Sequence, residues 1–215
     1  MIDWREIDTV LLDMDGTLLD LHFDSHFWLE HLPRRYVELH QLDQASQEAL
    51  KSRIIGEQGT LNWYSLAYWS RELNVDIVAL KREVQHLIGL RGDALDFLGW
   101  LKQAHPRVVL ATNADRASLA LKLPLTGLEN YLDAIISSED VGAAKEEQAF
   151  WFALQEREPF DPARTLFIDD NARVLESARE FGIKYLLGIK QPDSQRPEKE
   201  LQEFVALDRF AQLLP

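Results

Sequence analysis

The sequence predicts an α/β protein whose parallel sheet is covered by helices on both faces, with a helical unit inserted after the first strand. Short apolar runs rich in strand-forming residues alternate with helical patterns along most of the chain, and the runs are predominantly apolar. By contrast, residues 21–90 contain helical patterns and no convincing strand. This block therefore interrupts the alternation directly after the first strand.

Five apolar runs form the predicted strands. Their shortness and predominantly apolar character are typical of strands buried on both faces. The first run leads into Asp13-Met14-Asp15-Gly16, so a buried strand delivers two carboxylates into a glycine turn. In chain order the predicted strands are Thr9–Leu12, Arg107–Ala111, Ala134–Ser137, Thr165–Ile168 and Ile183–Leu187.

Prolines and a glycine mark the ends of the helices between these strands. The first two helical patterns stop before His105-Pro106 and before Pro159, and Gly182 follows the last one. A single turn is expected to start at Asp161-Pro162. The three helices with these ends are Arg91–Gln103, Lys145–Glu158 and Asn171–Glu180.

The helical block and the two ends of the chain complete the predicted organisation. Within the block, Ile77, Leu80, Val84 and Leu87 recur at the helical period. We expect a core domain formed by residues 1–20 and 91–215 and a helical cap domain formed by residues 21–90. After the fifth strand we expect a surface loop and then a final helix, over Gln191–Glu200 and Leu201–Leu214 respectively.

Composition narrows the chemistry. The chain has 215 residues, of which 46% are apolar, and no cysteine, which excludes disulfides and thiolate metal sites. Its six histidines form no close pair resembling a zinc site. Any bound metal should therefore be a hard ion held by oxygen ligands, which favours Mg²⁺.

The charge balance argues against polyanionic partners. A formal net charge of -13 disfavours nucleic acid and anionic membranes, which both require basic surface. The segment Met1–Thr9 carries four charged residues and no apolar core of a signal peptide. No apolar run approaches the roughly 20 residues of a membrane span. We expect a soluble, cytoplasmic protein acting on a small molecule, and nothing here predicts its oligomeric state.

Four polar groups are expected to meet at one edge of the sheet. Ligands of open parallel sheets bind beyond the carboxyl ends of the strands, and three of the groups directly follow a predicted strand. The fourth, a lysine, is predicted to start a helix. In chain order the groups are Asp13-x-Asp15-Gly16-Thr17, Thr112-Asn113, Lys145 and Asp169-Asp170.

The chemistry of these groups fits phosphoryl transfer. Crowded carboxylates raise one another's pKa values, and a bound Mg²⁺ would relieve that repulsion and neutralise phosphate charge. A carboxylate is a competent covalent nucleophile, and a second one can protonate the leaving oxygen and later activate water. Lys145 and the backbone N–H groups after Asp13 would stabilise the transferring group.

In residue type, order and strand context the set resembles the motifs of the haloacid dehalogenase (HAD) phosphatases. The resemblance implies a Rossmann-like core with a C1-type cap inserted after the first strand. It also implies Asp13 as nucleophile and metal ligand, and Asp15 as general acid/base and metal ligand through its backbone carbonyl. The remaining implied roles are magnesium binding by Asp169 and Asp170 and phosphate binding by Gly16, Thr112, Asn113 and Lys145.

A narrower resemblance concerns the substrate. Three segments are similar to the bacterial GMP/IMP nucleotidases of this superfamily, which implies hydrolysis of purine nucleoside 5′-monophosphates. The aromatic residues Trp63 and Tyr64 are candidates for contact with the base, although aromatics at helical spacing more often belong to a core. One departure is Ala144, where relatives often have proline before the motif lysine. The similar segments are Asp8–Leu21, Thr60–Ser70 and Arg164–Asp170.

Several alternatives remain open. Asp169-Asp170 also suits the N-cap of the next helix, and Lys145 alone is indistinguishable from a surface lysine. A sugar-phosphate phosphatase or phosphomutase would carry the same four groups. Asp15 argues against a haloacid dehalogenase, which lacks that carboxylate, and the complete set argues against an inactive, partner-binding member. No calcium-loop, P-loop, Gly-x-Ser-x-Gly or Gly-x-Gly-x-x-Gly pattern supports a rival class.

Overall fold

A computed structural model describes residues 2–104, 106–201 and 203–215. It contains a six-stranded sheet in which all neighbouring strands are parallel, in the order β3-β2-β1-β4-β5-β6. The first strand thus lies in the middle, which confirms the predicted fold class. The strands are β1 Thr9–Leu12, β2 Arg107–Thr112, β3 Ala134–Ser137, β4 Thr165–Asp169, β5 Tyr185–Ile189 and β6 Ala206–Leu207.

The register of the central strands brings their carboxyl ends together. Leu12, the last residue of β1, pairs with Leu110 of β2 and with Ile168 of β4. The residues that follow these positions therefore emerge at one edge of the sheet. All residues of β1 and β4 are buried, because helices cover both faces.

Helices fill the connections between the strands. The helices of the inserted segment between β1 and β2 are α1 His22–His26, α2 Leu32–His40, α3 Gln44–Gly56, α4 Leu61–Tyr64, α5 Leu66–Leu73 and α6 Ile77–Glu83. The helices that follow are α7 Ala94–Ala104, α8 Arg116–Thr126, α9 Ser138–Val141, α10 Gln148–Arg157 and α11 Ala172–Phe181. Short 3-10 turns are Trp4–Glu6, Gln85–Leu87, Leu128–Tyr131, Pro162–Arg164 and Phe210–Leu213, and Phe27–His31 forms a π-helical turn between α1 and α2.

Two hydrophobic clusters sandwich the sheet. Successive residues of β1 point to opposite faces, so Leu12 packs with Phe97 of α7 and Leu11 packs with Trp151 of α10. A third cluster lies mainly in the inserted segment, where it includes Phe27 and Trp69, and it also takes in Leu121 of α8. The inserted helices therefore have a core that is largely their own and is joined to α8. Within the described residues, no helix has the length and apolar character needed to cross a membrane.

The predicted elements agree well with the structure except near the C-terminus. Pro162–Arg164 is the expected single turn, with the Asp161 side chain accepting a hydrogen bond from the Ala163 N–H. The predicted helix Arg91–Gln103 corresponds to α7, which begins at Ala94 and ends at Ala104, and the His105 of its predicted stop signal lies outside the described residues. Strand β5 begins two residues later than predicted, at Tyr185.

The predicted final helix over Leu201–Leu214 is wrong. The segment instead adds strand β6 to the edge of the sheet and ends in a 3-10 turn. The N–H of Gly188 donates to the Val205 carbonyl over 2.8 Å, so pairing with the open edge of β5 outweighs helical propensity. A Cβ on Gly188 would lie 2.1 Å from Leu201 Cδ1, which explains why glycine allows this segment to approach β5.

Candidate active site

The turn after β1 carries the predicted nucleophile. The Met14 carbonyl accepts hydrogen bonds from the N–H groups of Thr17, Leu18 and Leu19, which folds the chain back on itself. Gly16 has a positive φ of 90°, and a Cβ there would lie 2.8 Å from Cγ of Asp170. Glycine is therefore required both for the turn and for the close approach of Asp170.

Lys145 joins the carboxylates of two strand ends. Its Nζ lies 2.5 Å from Asp13 Oδ1 and 2.6 Å from Asp169 Oδ2, and only 2% of its surface is exposed. The backbone around it is also fixed, because its N–H donates to Asn113 Oδ1 and its carbonyl accepts from Trp151 Nε1. Buried ion pairs held on both sides in this way have a defined geometry.

The local structure around Lys145 corrects one expectation. Lys145 was predicted to be the first residue of a helix, but α10 begins at Gln148. Lys145 lies instead in the turn between α9 and α10, where the Ala144 carbonyl accepts the N–H of Glu147. In this turn the Lys145 N–H donates to Asn113 Oδ1, which ties the lysine backbone to the end of β2.

Three carboxylates form a cluster with the composition of a divalent-cation site. One oxygen each from Asp13, Asp169 and Asp170 lie within 4.8 Å of one another. Burial raises the pKa of Asp13 and of Asp169, and the nearby ammonium of Lys145 opposes that rise. Lys145 and Lys199, whose Nζ lies 3.1 Å from Asp170 Oδ2, still leave the three carboxylates with excess negative charge, and oxygen-only donors fit Mg²⁺.

Asp15 lies beside this cluster with a different partner. Its Oδ1 is 2.7 Å from Nζ of Lys122, a residue of α8 that is 1% exposed. Burial raises the pKa of Asp15 to about 6, and Lys122 offsets part of that effect. A carboxyl group with a pKa near the working pH is suited to donating and accepting a proton.

The end of β2 supplies two further predicted residues. Thr112 and Asn113 are buried, and the Thr112 hydroxyl accepts the Ala114 N–H over 3.0 Å. The Asn113 side chain donates to Glu146 Oε2 over 2.9 Å and accepts the Lys145 N–H. Asn113 thus connects the lysine turn to β2, and its predicted contact with phosphate stays a prediction.

An open cleft with a volume of about 640 Å³ connects these residues to the inserted segment. Its lining includes Trp63 and Tyr64, the two candidates for contact with a base. The Tyr64 hydroxyl donates to Glu146 Oε1 over 2.8 Å, so this side chain reaches the lysine turn. The Trp63 ring lies 5.7 Å from that of Trp28 and belongs in part to the core of the inserted helices.

The inserted helices contact the core directly at a second place. Asp115, the N-cap of α8, accepts the Ser118 N–H with one carboxylate oxygen and the Leu66 N–H of α5 with the other. One side chain therefore caps a helix of each part. Leu66 and Ser118 line the cleft, as do Tyr64 and Glu146, so both contacts border it.

Sequence reasoning missed several charged residues around the cleft, and four of them form hydrogen bonds with other side chains there. Lys122 interrupts an otherwise apolar run in α8, and a single lysine in such a run is a signal for a buried ion pair. The others carry no comparable pattern, because their partners are distant in sequence. The four hydrogen-bonded residues are Asp24, Lys81, Lys122 and Glu146.

The comparisons with known proteins agree on one family. Residues 7–182 match the family model described as haloacid dehalogenase-like hydrolase. The chain is 42% identical over 215 residues to the GMP/IMP nucleotidase YrfG of Escherichia coli, which covers 100% of this chain and 97% of the relative. It is 23% identical to the phosphorylated carbohydrates phosphatase of Thermotoga maritima, over 85% of each chain.

A solved structure agrees at the level of the fold. The HAD phosphatase from Thermococcus onnurineus superimposes with a TM-score of 0.80 and covers 96% of both chains, at 21% sequence identity. This likeness extends over the core and the inserted helices alike. It supports the arrangement of elements described above.

Proposed function

This chain belongs to the haloacid dehalogenase-like hydrolases, and from that premise we propose that it hydrolyses phosphate monoesters through an aspartyl-phosphate on Asp13. The observation that carries the proposal is the position of Lys145. Its ammonium lies between Asp13 and Asp169 and next to the third carboxylate, Asp170. A cation and a carboxylate cluster at one strand edge are the parts that phosphoryl transfer requires.

The proposed reaction has two displacement steps. In the first, a carboxylate oxygen of Asp13 attacks phosphorus, the bond from phosphorus to the ester oxygen breaks, and Asp15 protonates the departing alkoxide. In the second, the Asp15 carboxylate accepts a proton from water as that water attacks phosphorus. The acyl-phosphate bond then breaks, which releases inorganic phosphate and regenerates Asp13.

Each step places negative charge on the phosphoryl oxygens. We assign their stabilisation to Lys145, to the Thr112 hydroxyl and Asn113 amide, and to the N–H of Gly16. Asp13, Asp169 and Asp170, with the Asp15 backbone carbonyl, would hold Mg²⁺. When bound, that ion neutralises phosphate charge and the repulsion within the cluster.

We further propose purine nucleoside 5′-monophosphates, GMP and IMP in particular, as substrates. The support is the 42% identity to a GMP/IMP nucleotidase over the whole chain. The cleft volume of about 640 Å³ suits a nucleotide, and Trp63 and Tyr64 offer aromatic surface to a base. In this proposal residues 21–90 act as a cap that covers the substrate.

A sugar-phosphate phosphatase or phosphomutase is the second candidate. It is favoured by the resemblance, at 23% identity, to a phosphatase of phosphorylated carbohydrates. Both candidates share the chemistry at phosphorus and differ only in what the cap side of the cleft recognises. The substrate class therefore has to be tested separately from the mechanism.

Phosphate release, measured with Mg²⁺ across five nucleoside monophosphates and a panel of sugar phosphates, separates the candidates. We expect kcat/KM for GMP and IMP to exceed that for AMP, CMP and UMP by roughly 10-fold or more, because a site that hydrogen-bonds polar groups of its substrate rejects analogues that lack them. The Asp13→Asn variant, assayed in parallel, controls for contaminating phosphatases. A preference for sugar phosphates would overturn the substrate assignment, and release from no monoester would overturn the mechanism.

A further inference from the structure

A chain of four charged side chains leads from the proposed general acid into the inserted helices. Lys122 Nζ lies 2.7 Å from Asp15 Oδ1 and 2.6 Å from Asp24 Oδ2, and Lys81 Nζ lies 2.7 Å from Asp24 Oδ1. We propose that Lys122 is a positioning residue for Asp15, itself held in place by Asp24 and Lys81. This inference rests on the proposed function, in which Asp15 exchanges protons with the leaving group and with water.

The burial of these charged side chains indicates that the network has a role beyond stability. The side chains of Lys122 and Lys81 are 1% and 2% exposed. Two ammonium groups alternate with two carboxylates, so the network is neutral, yet removing each ion from water remains costly. Well-packed apolar residues of similar volume often serve stability equally well or better. The presence of two buried lysines at such a cost needs a reason outside packing.

The geometry supplies that reason. The Lys122 ammonium donates a hydrogen bond to Asp15 Oδ1, whereas Asp15 Oδ2 has no hydrogen-bond partner in the described part of the chain. Asp15 lines the cleft, so its second oxygen is left for the proton that passes to the leaving group. Because an ammonium group only donates, Oδ1 cannot carry that proton while Lys122 is in place. The lysine therefore fixes both the orientation of the carboxyl group and which oxygen reacts.

Lys122 can fix Asp15 only if it is itself immobile. Asp24 in α1 holds its ammonium from the other side, and Asp24 is held in turn by Lys81 of α6. The Lys81 Nζ lies 4.9 Å from the ring centres of both Phe23 and Phe27, which adds cation–π attraction. The residues that immobilise Lys122 thus come from the inserted helices, while Lys122 and Asp15 belong to the core.

Leaving-group dependence separates positioning of a general acid from general damage. An alkyl phosphate such as GMP needs protonation of its departing oxygen, whereas p-nitrophenyl phosphate releases a stable anion. We expect Lys122→Met to lower kcat/KM for GMP by roughly 100-fold, the lower end of general acid contributions. For p-nitrophenyl phosphate the loss should stay within about threefold. The parameter kcat/KM is used because it does not include the later hydrolysis of the phosphoenzyme.

Matched variants keep the test independent of folding. Lys81→Met removes an equally buried ammonium one contact further away, so its selective loss for GMP should be smaller than that of Lys122→Met. Asp24→Asn frees Lys122 on one side without removing it, so it should reproduce the selective loss for GMP at smaller size. If Lys122→Met does not fold, the presence or absence of a selective loss for GMP in Asp24→Asn tests the inference instead.

A double-mutant cycle with Asp15→Asn completes the test. If Lys122 acts through Asp15, Lys122→Met should cause no further loss of kcat/KM for GMP in the Asp15→Asn background. Equal losses on both substrates, or full additivity with Asp15→Asn, would overturn the inference. A wild-type enzyme that hydrolyses neither ester would instead overturn the proposed function, so the two failures are distinguishable.

Discussion

The ammonium of Lys145 lies 2.5 Å from Oδ1 of Asp13, across 132 positions of sequence, and both groups are buried. The same ammonium reaches Asp169, so a single cation stabilises the carboxylates of two strand ends. In the absence of metal it is the closest positive charge to the proposed nucleophile. Loss of this lysine should consequently affect both catalysis and stability.

The Lys145→Met variant should lose roughly 10²- to 10³-fold in kcat/KM, the range found when one charge-stabilising donor is removed. Its melting temperature in metal-free buffer should fall, because two buried carboxylates lose their partner. Mg²⁺ should raise the melting temperature more in the variant than in the wild type. Calorimetry with and without Mg²⁺ measures this, and Lys102→Met, an exposed lysine of α7, should match the wild type throughout.

The Asp13→Asn variant should have no measurable turnover and no phosphoenzyme, because the amide cannot form the acyl-phosphate. Its stability should not fall. Burial raises the pKa of Asp13 in the folded protein, so at neutral pH the ionised carboxylate disfavours folding, and a neutral side chain removes that penalty. Acid-quench trapping and urea unfolding in metal-free buffer test the two parts. Normal turnover in this variant would refute the mechanism.

Removal of Mg²⁺ with EDTA should stop hydrolysis, and added Mg²⁺ should restore it. The Asp170→Asn variant should need roughly 10-fold or more Mg²⁺ for half-maximal activity, since one of three clustered carboxylates is lost. Activation curves at saturating substrate measure this shift. Glu129→Gln, at an exposed position, is the control, and full activity in metal-free buffer would contradict the magnesium assignment.

Much of this arrangement could be predicted from the sequence, for a physical reason. Parallel strands bring their carboxyl ends together, so any polar residue directly after an apolar run is a candidate for the same edge. Asp13, Thr112 and Asp169 follow from this rule alone. Lys145 does not follow a strand, and only its membership in a known set of motifs identified it. Its place in a turn, with its N–H donated to Asn113 Oδ1, was not predicted, because sequence reasoning did not link these two residues.

The remaining features depend on contacts between distant segments. Asp24 and Lys122 form an ion pair although they are 98 positions apart, and no local sequence pattern around either residue indicates the other. The C-terminal strand forms because the β5 edge is open, although the local sequence favours a helix. Periodicity describes which face of an element is apolar, and it carries no information about which charged residue another element supplies.

The two ion pairs of Asp24 also make the free energy of unfolding depend on pH in a predictable way. Burial alone would raise the pKa of Asp24, but the ammonium groups of Lys122 and Lys81 outweigh it and lower the pKa to about 2. A folded-state pKa below the ordinary value of 3.8 means that the ionised carboxylate stabilises the fold above that value. This contribution, on the order of 2 kcal/mol at neutral pH, is lost as the pH falls from about 4 to 2.

The free energy of unfolding should therefore differ most between wild type and Asp24→Asn above pH 5, where the wild-type carboxylate is ionised in both states. At pH 3 about half of that difference should remain, because the unfolded wild-type chain then binds a proton that the folded chain does not. Urea unfolding followed by fluorescence at pH 5, 4 and 3 gives the three values. Asp96→Asn, at an exposed position of α7, should leave the unfolding free energy close to that of the wild type at each pH. A wild-type advantage over Asp24→Asn that is unchanged between pH 5 and 3 would mean that Asp24 is not held ionised by the two lysines.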